Sequence, residues 1–207
     1  MPRSQQANEI VREEARERIL QAARRVFARR GPAATMSEVA KEAGISQGLA
    51  YRYFESKEEI LATLVKEAAE SGGGFSARME RIPGTPGERL YTLVSHILDA
   101  RRREPEFYQL LYRVLTDHKT PNELREVVQR SGGTVRTEMR KLIIDGQATG
   151  EVAKDDPDQL LGAVLACLDG LSRAMLALEP EKASASIPDA RVVLRMLRPD
   201  AREARSR

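Results

Sequence analysis

The 207-residue chain has no tryptophan, one cysteine and two histidines, and aromatic residues make up only 4% of it. A single thiol, Cys167, can close no internal disulfide and form no cysteine zinc site. The histidines form no His-x-x-x-His pair, and neither a glycine-rich phosphate loop nor a Gly-x-Ser-x-Gly turn occurs. Catalytic residues, metal ligands and a cofactor are therefore not expected. No run approaches the ~20 apolar residues of a membrane helix. Met1 to Ile10 lacks the apolar core of a secretory signal, so a cytoplasmic protein with no membrane partner is expected. Alternating β-branched patterns are missing too, which argues against strands.

What remains is 41% hydrophobic and 31% charged, the profile of a globular chain. The net charge is only +3, but it is unevenly spread. Residues 1–57 hold 11 Lys+Arg against 7 Asp+Glu, and residues 58–207 hold 23 against 24. The positive excess at the front points to an anionic partner there.

Helical periodicity runs throughout. Ile19, Ala22, Ala23, Val26 and Phe27 form one apolar stripe, stopped by Gly31-Pro32. A short helix follows, capped by Thr35 or Ser37 and ended by Gly44. A third spans Gln47 to Phe54. Ser56 with Glu59 forms a capping box for a fourth, which is expected to fail at Gly72-Gly73-Gly74. After a loop at 83–87, helices are expected from about Leu90 to Pro105, around Phe107 to Leu115, and from Pro121 to Asp145 with Gly146 and Gly150 as stops. The last two run from Pro157 to Leu178 and from Pro188 onward, before a charged, frayed tail at 198–207. The expected fold is all-α, with about nine helices.

Two short helices around a turn at Gly44 fit a helix-turn-helix, whose second helix enters the DNA major groove. At 100° per residue, Ala50 faces the core with Tyr53 and Phe54 nearby. Gly48 and Arg52 point the other way, with Leu49 and Tyr51 on the flanks. The outward face is thus small at its start and basic further on.

The run from Ala40 to Leu61, with Tyr51-Arg52-Tyr53-Phe54-Glu55-Ser56-Lys57 after the turn, resembles the DNA-binding signature of TetR-family transcriptional regulators. The resemblance covers residues ~16–65 closely, and beyond them only size and helical layout. It implies a homodimer on a near-palindromic double-stranded operator, with an effector-binding and dimerisation domain behind the reading head. Residues 1–57, including an N-terminal arm, would be the DNA-binding domain and 58–207 the second domain. By the resemblance, Thr35 contacts the DNA backbone, and Ser46, Gln47, Gly48 and Leu49 begin the recognition helix. Gln47 can pair with adenine and Leu49 can touch a thymine methyl. Tyr51 and Lys57 match the family's phosphate-binding positions. Arg52 and the Leu49-Ala50 order depart from its usual pattern, so Arg52 reads guanine or holds phosphate. Arg3 and Arg12 of the arm are further candidates for DNA contact.

The 157–178 helix is apolar on both sides. Leu161, Val164, Leu165, Leu168, Leu171 and Met175 make a broad stripe, and Ala163, Ala166, Cys167, Gly170, Ala174 and Ala177 a small-residue face. With 189–197, that face is expected to form the dimer interface. A small hydrophobic or amphipathic effector is expected among the helices of 88–178. Candidate contacts are Tyr91, His96, Phe107, Tyr108, Leu111, Tyr112, Leu115, Met139, Ile143, Leu168 and Met175. A ligand-released repressor is the leading reading. An activator, or a sequence-blind DNA- or ligand-binding protein, is the alternative.

Overall fold

The computed structural model describes residues 2–79 and 82–199, the side chains of 2–6, 8, 32, 69–79, 180, 181 and 183 excepted. The described residues form ten α-helices and no strand. They are α1 (Pro2–Arg30), α2 (Met36–Glu42), α3 (Gln47–Tyr53), α4 (Lys57–Met79), α5 (Pro86–Arg103), α6 (Pro105–Thr116), α7 (Asn122–Thr149), α8 (Pro157–Met175), α9 (Pro180–Ser186) and α10 (Ala190–Val193). Single 3-10 turns lie at Gly31–Ala33 and Leu194–Leu197.

Four expectations need correction. Residues 2–30 are one helix, so Arg12 lies in α1 and not in an extended arm; the side chain of Arg3 lies outside the described residues. α4 does not stop at Gly72-Gly73-Gly74 but continues to Met79. Glycine costs a helix ~1 kcal/mol per residue but removes no hydrogen bond, so it weakens the ladder without breaking it. α7 likewise passes through Gly146 and ends at Gly150, which has φ +79°. Gly146 serves close packing instead: a Cβ there would lie 2.6 Å from the Val152 Cγ2. Finally, α9 lies where no helix was expected. The frayed tail falls, from residue 200 on, outside the described residues.

Two apolar clusters hold these helices together. The first gathers Ile19, Phe27, Val39, Ala50, Phe54, Ile60 and Leu64 from α1–α4. It also takes in Leu110 and Val114 of α6, with Leu124, Val127 and Val128 of α7 packed against it. The second joins α5, α7, α8 and α10 through Leu93, Leu98, Met139, Leu142, Ile143, Leu161, Val164 and Val193. Helix α6 therefore has two duties, because 3.6-residue periodicity puts 110 and 114 on one face and 108, 111, 112 and 115 on another. Arg113 ties it further to α1, its Nε donating to the Ala28 carbonyl at 2.6 Å.

Candidate DNA-reading face and effector cavity

The turn between α2 and α3 is set by backbone chemistry. Gly44 adopts φ +67°, a left-handed conformation that costs other L-residues ~1–2 kcal/mol. Its N–H donates to the Lys41 carbonyl at 3.2 Å, and the Ile45 N–H to the Ala40 carbonyl at 3.0 Å. That is the Schellman pattern, and Ile45 then packs on the first core cluster. Ser46 caps α3, its hydroxyl accepting from the Leu49 N–H at 3.2 Å. As the helical period predicts, Ala50 and Phe54 are buried and Tyr53 is half-buried. Gln47, Gly48 and Arg52 are exposed, Leu49 is half-buried, and Tyr51 is 49% exposed. Nothing lies within 4 Å of the place a Gly48 Cβ would take, so the start of α3 is open to close approach.

Two other elements border this face. Thr35 caps α2 in a reciprocal box: its hydroxyl accepts from the Glu38 N–H at 3.2 Å, and Glu38 accepts from the Thr35 N–H at 2.9 Å and hydroxyl at 3.0 Å. The hydrogen bonds from the Thr35 hydroxyl and N–H hold the half-buried Glu38 carboxyl below its ordinary value. Lys57, at the start of α4, donates from Nζ to the Ala34 carbonyl at 2.9 Å. Its ammonium thus stands beside the positive end of α2, where an anion gains from charge and dipole together.

Several of the arginines at the front of the sequence are paired within the fold. Arg25 and Arg29 donate to Glu42 at 2.8 and 2.7 Å, and they hold its carboxyl below the ordinary 4.5. Arg30 lies 3.3 Å from Glu38, and Arg24 lies 3.0 Å from Glu67. Arg16 stacks over the Phe54 ring at 5.2 Å. Arg52 makes no ion pair among the described residues, and it is exposed on α3.

Behind the head lies a cavity of about 950 Å³ between α4, α5, α6, α7 and α8. Eight of the expected effector contacts line it: His96, Phe107, Tyr108, Leu111, Tyr112, Leu115, Met139 and Leu168. Three do not. Ile143 and Met175 are sealed in the second core cluster, and Tyr91 packs on the edge of that cluster, with the Arg191 guanidinium 5.8 Å from its ring centre. The stripe that buries Ile143 and Met175 is the same apolar period that suggested a lining, so periodicity alone could not separate core from cavity. The lining is also more charged than expected. Arg24, Arg101, Arg103 and Arg136 face it, with Glu67, Glu104 and Asp169. Their signal in the sequence was weak, because arginines at the end of α5 read as ordinary helix C-terminal charges.

Comparison with known proteins matches this architecture at both ends. The model described as bacterial regulatory proteins, tetR family, matches residues 19–64. The model of the C-terminal part of BetI-type transcriptional repressors matches residues 86–197. The chain belongs to the TetR family. It is a helix-turn-helix transcriptional regulator. A BetI regulator of Rhizobium meliloti is 27% identical over 75% of this chain and 75% of its own. The MbdR regulator of Azoarcus superposes with a TM-score of 0.72 at 23% identity, covering 87% of this chain and 97% of that one. The FadR regulator of Bacillus subtilis, solved in complex with stearoyl-CoA, gives a TM-score of 0.57 at 22% identity, covering 86% and 96%.

TetR regulators bind operator DNA and small-molecule effectors, typically as dimers. In this TetR-family chain the N-terminal match spans the C-terminal part of α1, all of α2 and α3, and the start of α4. The C-terminal match contains most of the cavity wall and all of α8. None of the helices among the described residues is long and apolar enough to cross a membrane.

Proposed function

We propose that this TetR-family regulator is a homodimeric repressor that leaves a palindromic operator when an apolar or amphipathic small molecule fills the α4–α8 cavity. Residues 1–57 act as the reading head and 58–207 as the effector and dimer body. Gln47, Gly48, Leu49 and Arg52 meet base edges in the major groove, and Thr35, Ser46, Tyr51 and Lys57 hold the phosphates on either side. The open start of α3 and the Lys57 ammonium beside α2 support these roles. Because Thr35 spends its hydroxyl proton on Glu38, the backbone N–H groups at the start of α2 serve as its phosphate donors.

Helices α8 and 189–197 form the dimer interface. Gly162, Ala163, Ala166, Gly170 and Ala174 are exposed along α8 and Ala177 just beyond its end, and Val192 and Met196 are 55% and 44% exposed. A small-residue face lets a partner helix pack closely, and a two-fold axis pairs it with itself.

The observation that carries the release mechanism is the double duty of α6. Leu110 and Val114 belong to the head core, while Leu111 and Leu115, on the same helix, line the cavity. A molecule that binds only when α6 is displaced favours the displaced state by its difference in affinity. The displacement then reaches α1 and the spacing of the two reading heads. The test is selection of bound DNA from a random pool, followed by release with cavity ligands. A recovered palindrome whose binding is relieved by ligand supports the reading. A pool that stays random contradicts it.

A further inference from the structure

Arg101 stands at the C-terminal end of α5 with its guanidinium turned into the cavity. Its Nε donates to the Ser172 hydroxyl and its Nη1 to the Ile97 carbonyl, each at 3.3 Å. Both acceptors are neutral, and both bonds are long. The plane also stacks over the Tyr108 ring at 5.1 Å. A guanidinium has five N–H donors, so more than half of them remain for something else. No carboxylate lies within 4.0 Å of it among the described residues; the acid that acts on it, Asp169, does so only at longer range. Burial lowers its proton affinity, and Tyr108 and Asp169 offset part of that. A desolvated cation with no ion partner costs the fold free energy unless an anion completes it.

Beside this charge the wall is apolar, with Leu111, Leu115, Met139 and Leu168. Of the other cavity arginines, Arg24 is already paired with Glu67 and Arg103 and Arg136 are exposed, so the half-buried Arg101 is the partly desolvated cation left to a ligand. We propose that the effector is an amphipathic acid, whose carboxylate forms a paired hydrogen bond with Arg101 while its apolar body lies on the α6–α7 side. This rests on the effector-cavity reading above and adds the charge of the ligand to it. A planar fork suits a carboxylate, which accepts two parallel N–H bonds. A neutral or cationic molecule of the same size leaves the guanidinium unpaired or repels it.

The test compares palmitate with hexadecanol, and naphthoate with naphthol, by isothermal titration against the full chain. A third arm, palmitoyl-CoA, separates a free carboxylate from an acyl thioester. Each acid is expected to bind roughly tenfold to a hundredfold tighter than its alcohol, the range of a charge-assisted pair. In Arg101→Met, which keeps the apolar stem, that preference disappears while the alcohols bind as before. Asp169→Asn, on an exposed position of α8, removes a repelling charge and tightens the acids several-fold without moving the alcohols. It reads the same claim should Arg101→Met fold poorly. Acids and alcohols binding equally would overturn the inference and leave the cavity reading intact. Palmitoyl-CoA binding tighter than palmitate, with no loss in Arg101→Met, would also overturn it. If no probe binds at all, the cavity reading fails and this inference with it.

Discussion

Lys57 reaches back 23 positions to the Ala34 carbonyl, which puts its charge at the head of α2 beside Thr35. A cation that meets phosphate contributes to every DNA sequence alike, so Lys57→Ala is expected to weaken specific and random duplexes together. It should lower the salt slope of binding by about one. Tyr51→Phe should weaken both duplexes alike as well. Fluorescence anisotropy across a salt series checks both, and unchanged affinity contradicts the assigned roles. Glu42 makes a second prediction at this scale, about stability. Arg25 and Arg29 depress its folded pKa below 4.5, so its contribution is complete above that value and is lost as pH falls through the lowered one. Urea unfolding between neutral and acid pH should therefore show a shallower acid loss in Glu42→Gln than in the parent chain. Which way a side chain faces was legible where a helical period fixes it, as at Ala50, Tyr51 and Phe54. Partners were illegible where two helices share a pair, as Arg25 and Arg29 do with Glu42, because such contacts join positions with no local pattern.

At the scale of elements, α6 carries the most information and gave the least warning of it. Its apolar residues read as a single short amphipathic helix, yet its two faces serve different neighbours. Leu110 is 1% exposed in the head core, so Leu110→Ala should cost ~2–5 kcal/mol of stability and loosen operator binding. Leu111→Ala, on the cavity face, should cost little stability and change effector affinity instead. Chemical unfolding alongside ligand titration separates the two. Similar effects from both substitutions would remove α6 as the link. Glycine misled in the same way along α4 and α7. At Gly44 and Gly150 a positive φ ends the helix, but at Gly146 and at 72–74 the helix runs on. The sequence shows the same letter in both cases; only the neighbours, such as Val152 against Gly146, tell them apart.

For the whole molecule, the all-α class and the order of the helices other than α9 could be read from periodicity, caps and breakers. The cavity could not be drawn fully, because a residue that lines a space and one that fills a core share the same apolar period. The proposed dimer makes the prediction that belongs to this scale. Ala166 is exposed on the small-residue face of α8, so Ala166→Glu should keep the helical content of the chain but shift it to monomer in sedimentation. Operator affinity should fall with it, since a single head holds one half-site.

In the proposed function, the relation between two heads is what distinguishes an operator-reading dimer from a basic surface. Binding is therefore measured against a series of duplexes in which the two selected half-sites are moved apart one base pair at a time. Affinity should peak when the half-site centres are about one helical turn, roughly 34–36 Å, apart, and fall steeply on either side. An affinity indifferent to that spacing would contradict the account.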